Sequence, residues 1–166
     1  MLTQWASCSG KTLMASTASC ARIGSRWCLS SIVASVIAMS RLYYRSMRSD
    51  PDRLPQIGES ARELGVRPHR DIPVNSRGVV APMTGGMSIT ADDPMKLPPH
   101  RRPASYVGTG RDPVFEIHGD SFGGSLSFRQ DGPPGHCLVE PLSFCLFEDY
   151  QVAIYATHPF WLPLEY

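Results

Sequence analysis

The residues of this chain suited to chemistry are few and far apart. Arg45 follows Leu42-Tyr43-Tyr44, a stretch compatible with a strand. It reads either as a solvated strand end, as most arginines are, or as a cation facing an anion or a ribose at the lip of a cleft. Gly85-Gly86 precedes Ser88. Two adjacent glycines let the backbone take φ > 0 or approach a ligand closely, and Ser88 is the first hydroxyl after that opening; it also reads as a turn-capping serine. In His136-Cys137-Leu138-Val139-Glu140-Pro141, strand alternation puts His136, Leu138 and Glu140 on one face. At strand rise His136 and Glu140 stand about 13 Å apart, too far to act on one atom but able to line one elongated ligand. Glu148 is a second acid, at the start of a helical segment whose dipole accounts for it without further function. His100-Arg101-Arg102 is a small basic cluster, read first as a solvated loop and second as a phosphate contact.

These residues need elements to hold them. Val79-Val80-Ala81 reads as a brief strand before Pro82, and Met87-Ser88-Ile89 as the start of another short piece, extended or helical. The prolines at 94, 98, 99 and 103 make the following segment a connection. Phe115 to His118 alternates as a strand, and Leu126 to Phe128 is expected to pair back on it as a hairpin across the Gly119-Asp120 and Gly123-Gly124 turn signals. Asp52 to Leu64 is expected to hold a short helix, with Ile57, Ala61 and Leu64 at helical spacing and Gly65 ending it. Phe147, Tyr150, Gln151 and Ile154 also fall at helical spacing, and Pro159 stops that helix. Phe160-Trp161 is expected to pack back on the core.

With 166 residues, one domain is the natural prior. Residues 1–39 are Ser- and Ala-rich, basic and free of acid. That composition resembles a mitochondrial transit peptide; a disordered tail and a mis-assigned start are equal readings. The domain proper is expected over residues 40–166. Ile32 to Met39 is apolar but too short to span a bilayer. Gly10-Lys11-Thr12 mimics the end of a phosphate loop, but Trp5 occupies the place of the required upstream glycine. The net charge of +1 hides a mildly acidic body from Asp50 onward, which argues against general nucleic-acid binding. The 15 prolines and 14 glycines fall mostly between Gly78 and Pro134 and point to a loop-rich domain of short strands. Five cysteines with no CxxC read as reduced thiols. His136 beside Cys137 has no second ligand pair to make a metal site.

In order along the chain, Leu42-Tyr43-Tyr44-Arg45, Arg77-Gly78-Val79-Val80-Ala81-Pro82-Met83-Thr84-Gly85-Gly86-Met87-Ser88, Leu97-Pro98-Pro99-His100-Arg101-Arg102-Pro103, Gly135-His136, Val139-Glu140-Pro141 and Glu148-Asp149-Tyr150-Gln151 resemble a known family. It is the group of ADP-ribosyltransferase-like toxins named for a type VI secretion exported effector of bacteria, with fungal members. The resemblance covers about residues 41 to 161. It implies a compact α+β domain with two small packed β-sheets and few short helices. It also implies NAD as substrate, cleavage of the nicotinamide–ribose bond, and transfer of ADP-ribose to an unknown macromolecular acceptor or to water. A non-catalytic binding module on the same fold is the alternative. Carried over by position, Arg45 would hold ribose or phosphates, Tyr44 would stack on a ring, and Gly85, Gly86 and Ser88 would order the nicotinamide-ribose pocket. His136 would shape the other end of the cleft. Glu140 would be the acid that stabilises the oxocarbenium-like centre, with Glu148 as the fallback. Cys137 departs from the family, which often has an aromatic there. Toxins of this kind commonly have an immunity partner.

Overall fold

The computed structural model describes residues 41–165; the expected N-terminal extension, residues 1–39, lies outside the described residues. The fold is α+β, mostly strand. Its elements are β1 (Leu42–Ser46), β2 (Val79–Val80), β3 (Met87–Ala91), β4 (Val114–His118), β5 (Leu126–Gln130), β6 (His136–Pro141), β7 (Cys145–Leu146), α1 (Phe147–Tyr155) and β8 (Leu162–Pro163). One antiparallel sheet of six strands runs in the order β5-β6-β3-β1-β4-β8, and β2 pairs with β7 in a separate two-stranded ribbon. The two sheets are therefore very unequal in size. Short 3-10 turns at Pro94–Lys96, Pro99–Arg101 and Ala104–Tyr106 occupy the proline-rich connection. Each of the first two carries proline at its opening positions, where the missing N–H costs nothing.

Strand alternation divides the large sheet into two faces. Tyr43, Met87, Ile89, Ala91, Phe115, Ile117, Cys137 and Val139 join Tyr150 and Ile154 of α1 and Trp161 in one buried apolar cluster. Tyr43 stacks on Phe128 with ring centroids 4.6 Å apart. Trp161 is fully buried, and its indole N–H donates to Thr157 Oγ1 at 3.0 Å, whereas Phe160 stays half exposed. The opposite face carries Tyr44, Thr90 and His136 as one cross-strand row, through the pairs Tyr44↔Thr90 and Thr90↔His136.

Two expected elements differ. Residues 52–64 form turns rather than a helix. The Asp50 carboxylate accepts the N–H groups of Asp52 and Leu54 at 2.9 and 2.8 Å, the local side-chain bonding that competes with a helical ladder. Arg53 takes φ of 64°, and the bridges Ser49↔Pro55 and Ile57↔Leu64 pin the segment as an extended loop. The β4–β5 hairpin is also absent. Both edges of β4 are occupied, by β1 and β8, and β5 pairs instead with β6 over Leu126↔Pro141 to Gln130↔Cys137. The turn that folds is the Asp131–Gly135 loop, where Gly132 and Gly135 adopt φ of 71° and 89°. Its short span and positive-φ residues make it the better hairpin closure. Among the described residues no helix is long and apolar enough to cross a membrane.

Candidate functional site

A cavity of about 270 Å³ opens on the polar face of the large sheet, lined among others by Tyr44, Arg45, Ser88, Thr90 and His136. Three neighbouring strands deliver them: β1 gives Tyr44 and Arg45, β3 gives Ser88 and Thr90, and β6 gives His136. The far wall comes from loops, with Arg67 and Asp71 on one side and Leu97, His100 and Arg101 on the other. The volume lies at the lower edge of the range for small-molecule sites. It suits a mononucleotide-sized portion of a ligand rather than a whole dinucleotide.

Arg45 sits where the sheet opens. β1 pairs with β4 along all five of its residues, but with β3 only at Tyr43↔Ala91 and Tyr44↔Thr90. Beyond that point the guanidinium takes over from the ladder: Nη1 donates to the carbonyl of Ser88, and Nη2 to the carbonyl of Glu63 at 3.3 Å. Arg45 is 8% exposed, and its Nε has no hydrogen-bond partner. Burial, followed by the nearby Arg101 cation, pulls its pKa down to about 10. A buried donor without an acceptor is costly and rare in a folded protein.

The opposite wall is basic and partly neutralised. Arg67 and Asp71 form an ion pair across one helical-turn spacing, with Arg67 Nε 2.9 Å from Asp71 Oδ2. Arg101 donates from Nη1 to the carbonyls of Ala61 and Ser46 at 3.0 and 3.3 Å. Its pKa is lowered, first by burial. Arg62 and Asp112 fasten the loop behind it, and the arginine holds the Asp112 carboxyl below the usual carboxylate range. His100 and Arg101 thus line the cavity, although the sequence favours a solvated loop for them. Their placement depends on carbonyls at 46 and 61, far away in the chain.

His136 reaches the cavity in a defined tautomer. Its Nδ1 lies 2.6 Å from the carbonyl oxygen of Asp131. A carbonyl only accepts, so Nδ1 carries the proton, and in the neutral ring Nε2 is the free acceptor.

The remaining candidates stand apart from the cavity. Glu140 shares a strand face with His136 but does not line the cavity. It is 3% exposed, and its Oε2 accepts from Arg129 Nε and from the Met83 N–H, each at 3.1 Å. Arg129 continues to Asp131 at 3.2 Å, so a charged chain ties Glu140 to the loop that holds His136. Glu148 is exposed in the first turn of α1. Gly85 and Gly86 are buried and also lie outside the lining. Their lack of side chains has a packing cause: a Cβ at Gly85 would lie 2.2 Å from the Asp71 carbonyl oxygen, and one at Gly86 2.1 Å from that of Val139. The Gly86 N–H donates to the Asp71 carbonyl at 2.9 Å. The glycine pair therefore sets the cavity wall at Asp71 from behind. Among the described residues no group of three or more His, Cys, Asp or Glu is placed to hold a metal ion.

Comparison with known protein families, characterised proteins and solved structures finds no match to this chain.

Proposed function

We propose that the chain is a toxin-like enzyme that binds NAD in this cavity and cleaves the nicotinamide–ribose bond, passing ADP-ribose to a macromolecule or to water. The observation that carries the reading is the meeting of Tyr44, Arg45, Ser88 and His136 around one cavity. The sequence resemblance nominates those four residues independently, and the chain scatters them over more than 90 positions. In this reading the cavity receives the nicotinamide-ribose half, in keeping with its volume. Tyr44 offers a ring wall, Ser88 a hydroxyl, His136 an acceptor at Nε2, and Arg45 a guanidinium cation. The ADP-ribosyltransferase-like architecture of the large sheet, opening between β1 and β3, is part of the same proposal. Cleavage requires negative charge or hydrogen bonds that strengthen as the ribose becomes cationic.

A second reading has its own support. Glu140 is engaged by Arg129 and the Met83 N–H, and neither it nor Glu148 lines the cavity. A binding module that holds NAD without turning it over fits that arrangement. The experiment that separates the two is nicotinamide release from NAD by purified protein, run beside NAD titration calorimetry. The enzyme reading expects release that Arg45→Ala abolishes. Binding without release supports the module, and absence of both removes NAD from the account.

A further inference from the structure

Arg45 and Arg101 line the same cavity, and among the described residues neither forms an ion pair. Each is instead fixed by backbone carbonyls: Arg45 by Ser88 and Glu63, Arg101 by Ser46 and Ala61. Carbonyl contacts orient a guanidinium without cancelling its charge. The one carboxylate on the lining, Asp71, is already held by Arg67. Arg45 further presents a buried Nε with no acceptor. Two oriented cations lining one cavity form a preorganised anion site. Planar guanidinium groups match phosphate oxygens in geometry as well as charge.

We propose that Arg101 acts with Arg45 as a clamp for the diphosphate of a phosphorylated ligand, which makes Arg101 a binding residue of this cavity. The proposal rests on reading the cavity as a ligand site and adds to the proposed function where the phosphates lie. Arg101 stands on the 3-10 turn Pro99–Arg101, and the prolines at 98 and 99 limit the turn's freedom. The two charges repel each other, and that repulsion helps lower the proton affinity of Arg45. A bound dianion between them removes the repulsion.

The test is calorimetric titration of the full chain with inorganic pyrophosphate, at two chloride concentrations of matched buffer, with NAD as competitor. Saturable one-site binding is expected, at least tenfold weaker in Arg101→Gln and weakened to a smaller degree in Arg101→Lys, which keeps charge but loses the fork. A thermal melt of each variant checks folding. Should Arg101→Gln fail to fold, the Arg101→Lys result and competition by NAD on the parent decide. Equal pyrophosphate affinity in parent and folded variants overturns the clamp, as does NAD binding that pyrophosphate does not displace. Pyrophosphate binding without NAD binding leaves the clamp standing and overturns the proposed function instead.

Discussion

Arg45 and Glu140 are both buried charges on the large sheet, and their surroundings are opposite. Glu140 is satisfied: an arginine and a backbone N–H fill its outer oxygen, and the Met83 loop closes over it. Arg45 is fixed by carbonyls, forms no ion pair among the described residues, and leaves one buried donor unmet. The first arrangement is what a fold does with a charge it uses to join two segments. The second carries a desolvation cost that its carbonyl bonds offset without any paired charge, the mark of a place kept for something else. The difference separates two residues that look equally promising in the sequence.

The largest effect that probes this contrast is expected at Glu140. Glu140→Ala leaves the Met83 N–H without its acceptor and removes one of the two carboxylates that hold Arg129, and should cost about 2 kcal/mol in urea unfolding. A cost below about 1 kcal/mol would erase the distinction between the two charges. Arg45→Met should behave differently. Holding the guanidinium near pKa 10 corresponds to about 3 kcal/mol of penalty. Losing its bonds to the Ser88 and Glu63 carbonyls costs about 1–3 kcal/mol. The two nearly cancel, so unfolding stability should stay within about 1 kcal/mol of the parent. A loss as large as that of Glu140→Ala would make Arg45 a structural residue.

The same charge gives a pH signature. Below about pH 10 the guanidinium is protonated in both folded and unfolded chains, and its burial cost is constant. Above that, the folded state has released a proton that the unfolded state still holds, so this group's contribution to stability rises with pH until the unfolded guanidinium also titrates. Denaturation series above pH 10 should show that contribution in the parent and lack it in Arg45→Met; identical slopes would contradict the burial. The smallest effect is expected at Ser88. Its side chain is exposed, so Ser88→Ala should change stability by about 0.5 kcal/mol or less, while nicotinamide release falls if the hydroxyl contacts ribose. A stability loss with unchanged release would reverse that assignment.

Much of the scaffold is legible before folding. Alternation marks β4 and β6, strand-compatible residues mark β1, and helical spacing marks α1, because each buries one face against the same core; the β3 segment stays open between extended and helical in the sequence. The helix expected at 52–64 does not form because a single carboxylate, Asp50, captures the N–H groups that a helix would need. Strand pairing is less legible than strand position: β4 and β5 exist, but occupied edges decide their partners. Gly85 and Gly86 stand out in the sequence for a reason that folding reassigns, from approach to a ligand to contact with the carbonyls of Asp71 and Val139. Arg101 is the residue that sequence reading ranks low, as a solvated loop first and a phosphate contact second. Nothing local to Pro98-Pro99-His100 tells that the carbonyls of Ser46 and Ala61 will receive it.

The proposed function places NAD, for cleavage, in the cavity beside Arg45. Its most direct test is a time course of nicotinamide release from NAD by the purified chain and by Arg45→Ala. Release by the parent at a rate proportional to enzyme concentration, reduced at least a hundredfold in a folded Arg45→Ala, is the predicted result. Equal release by both proteins, or none by either, would contradict it.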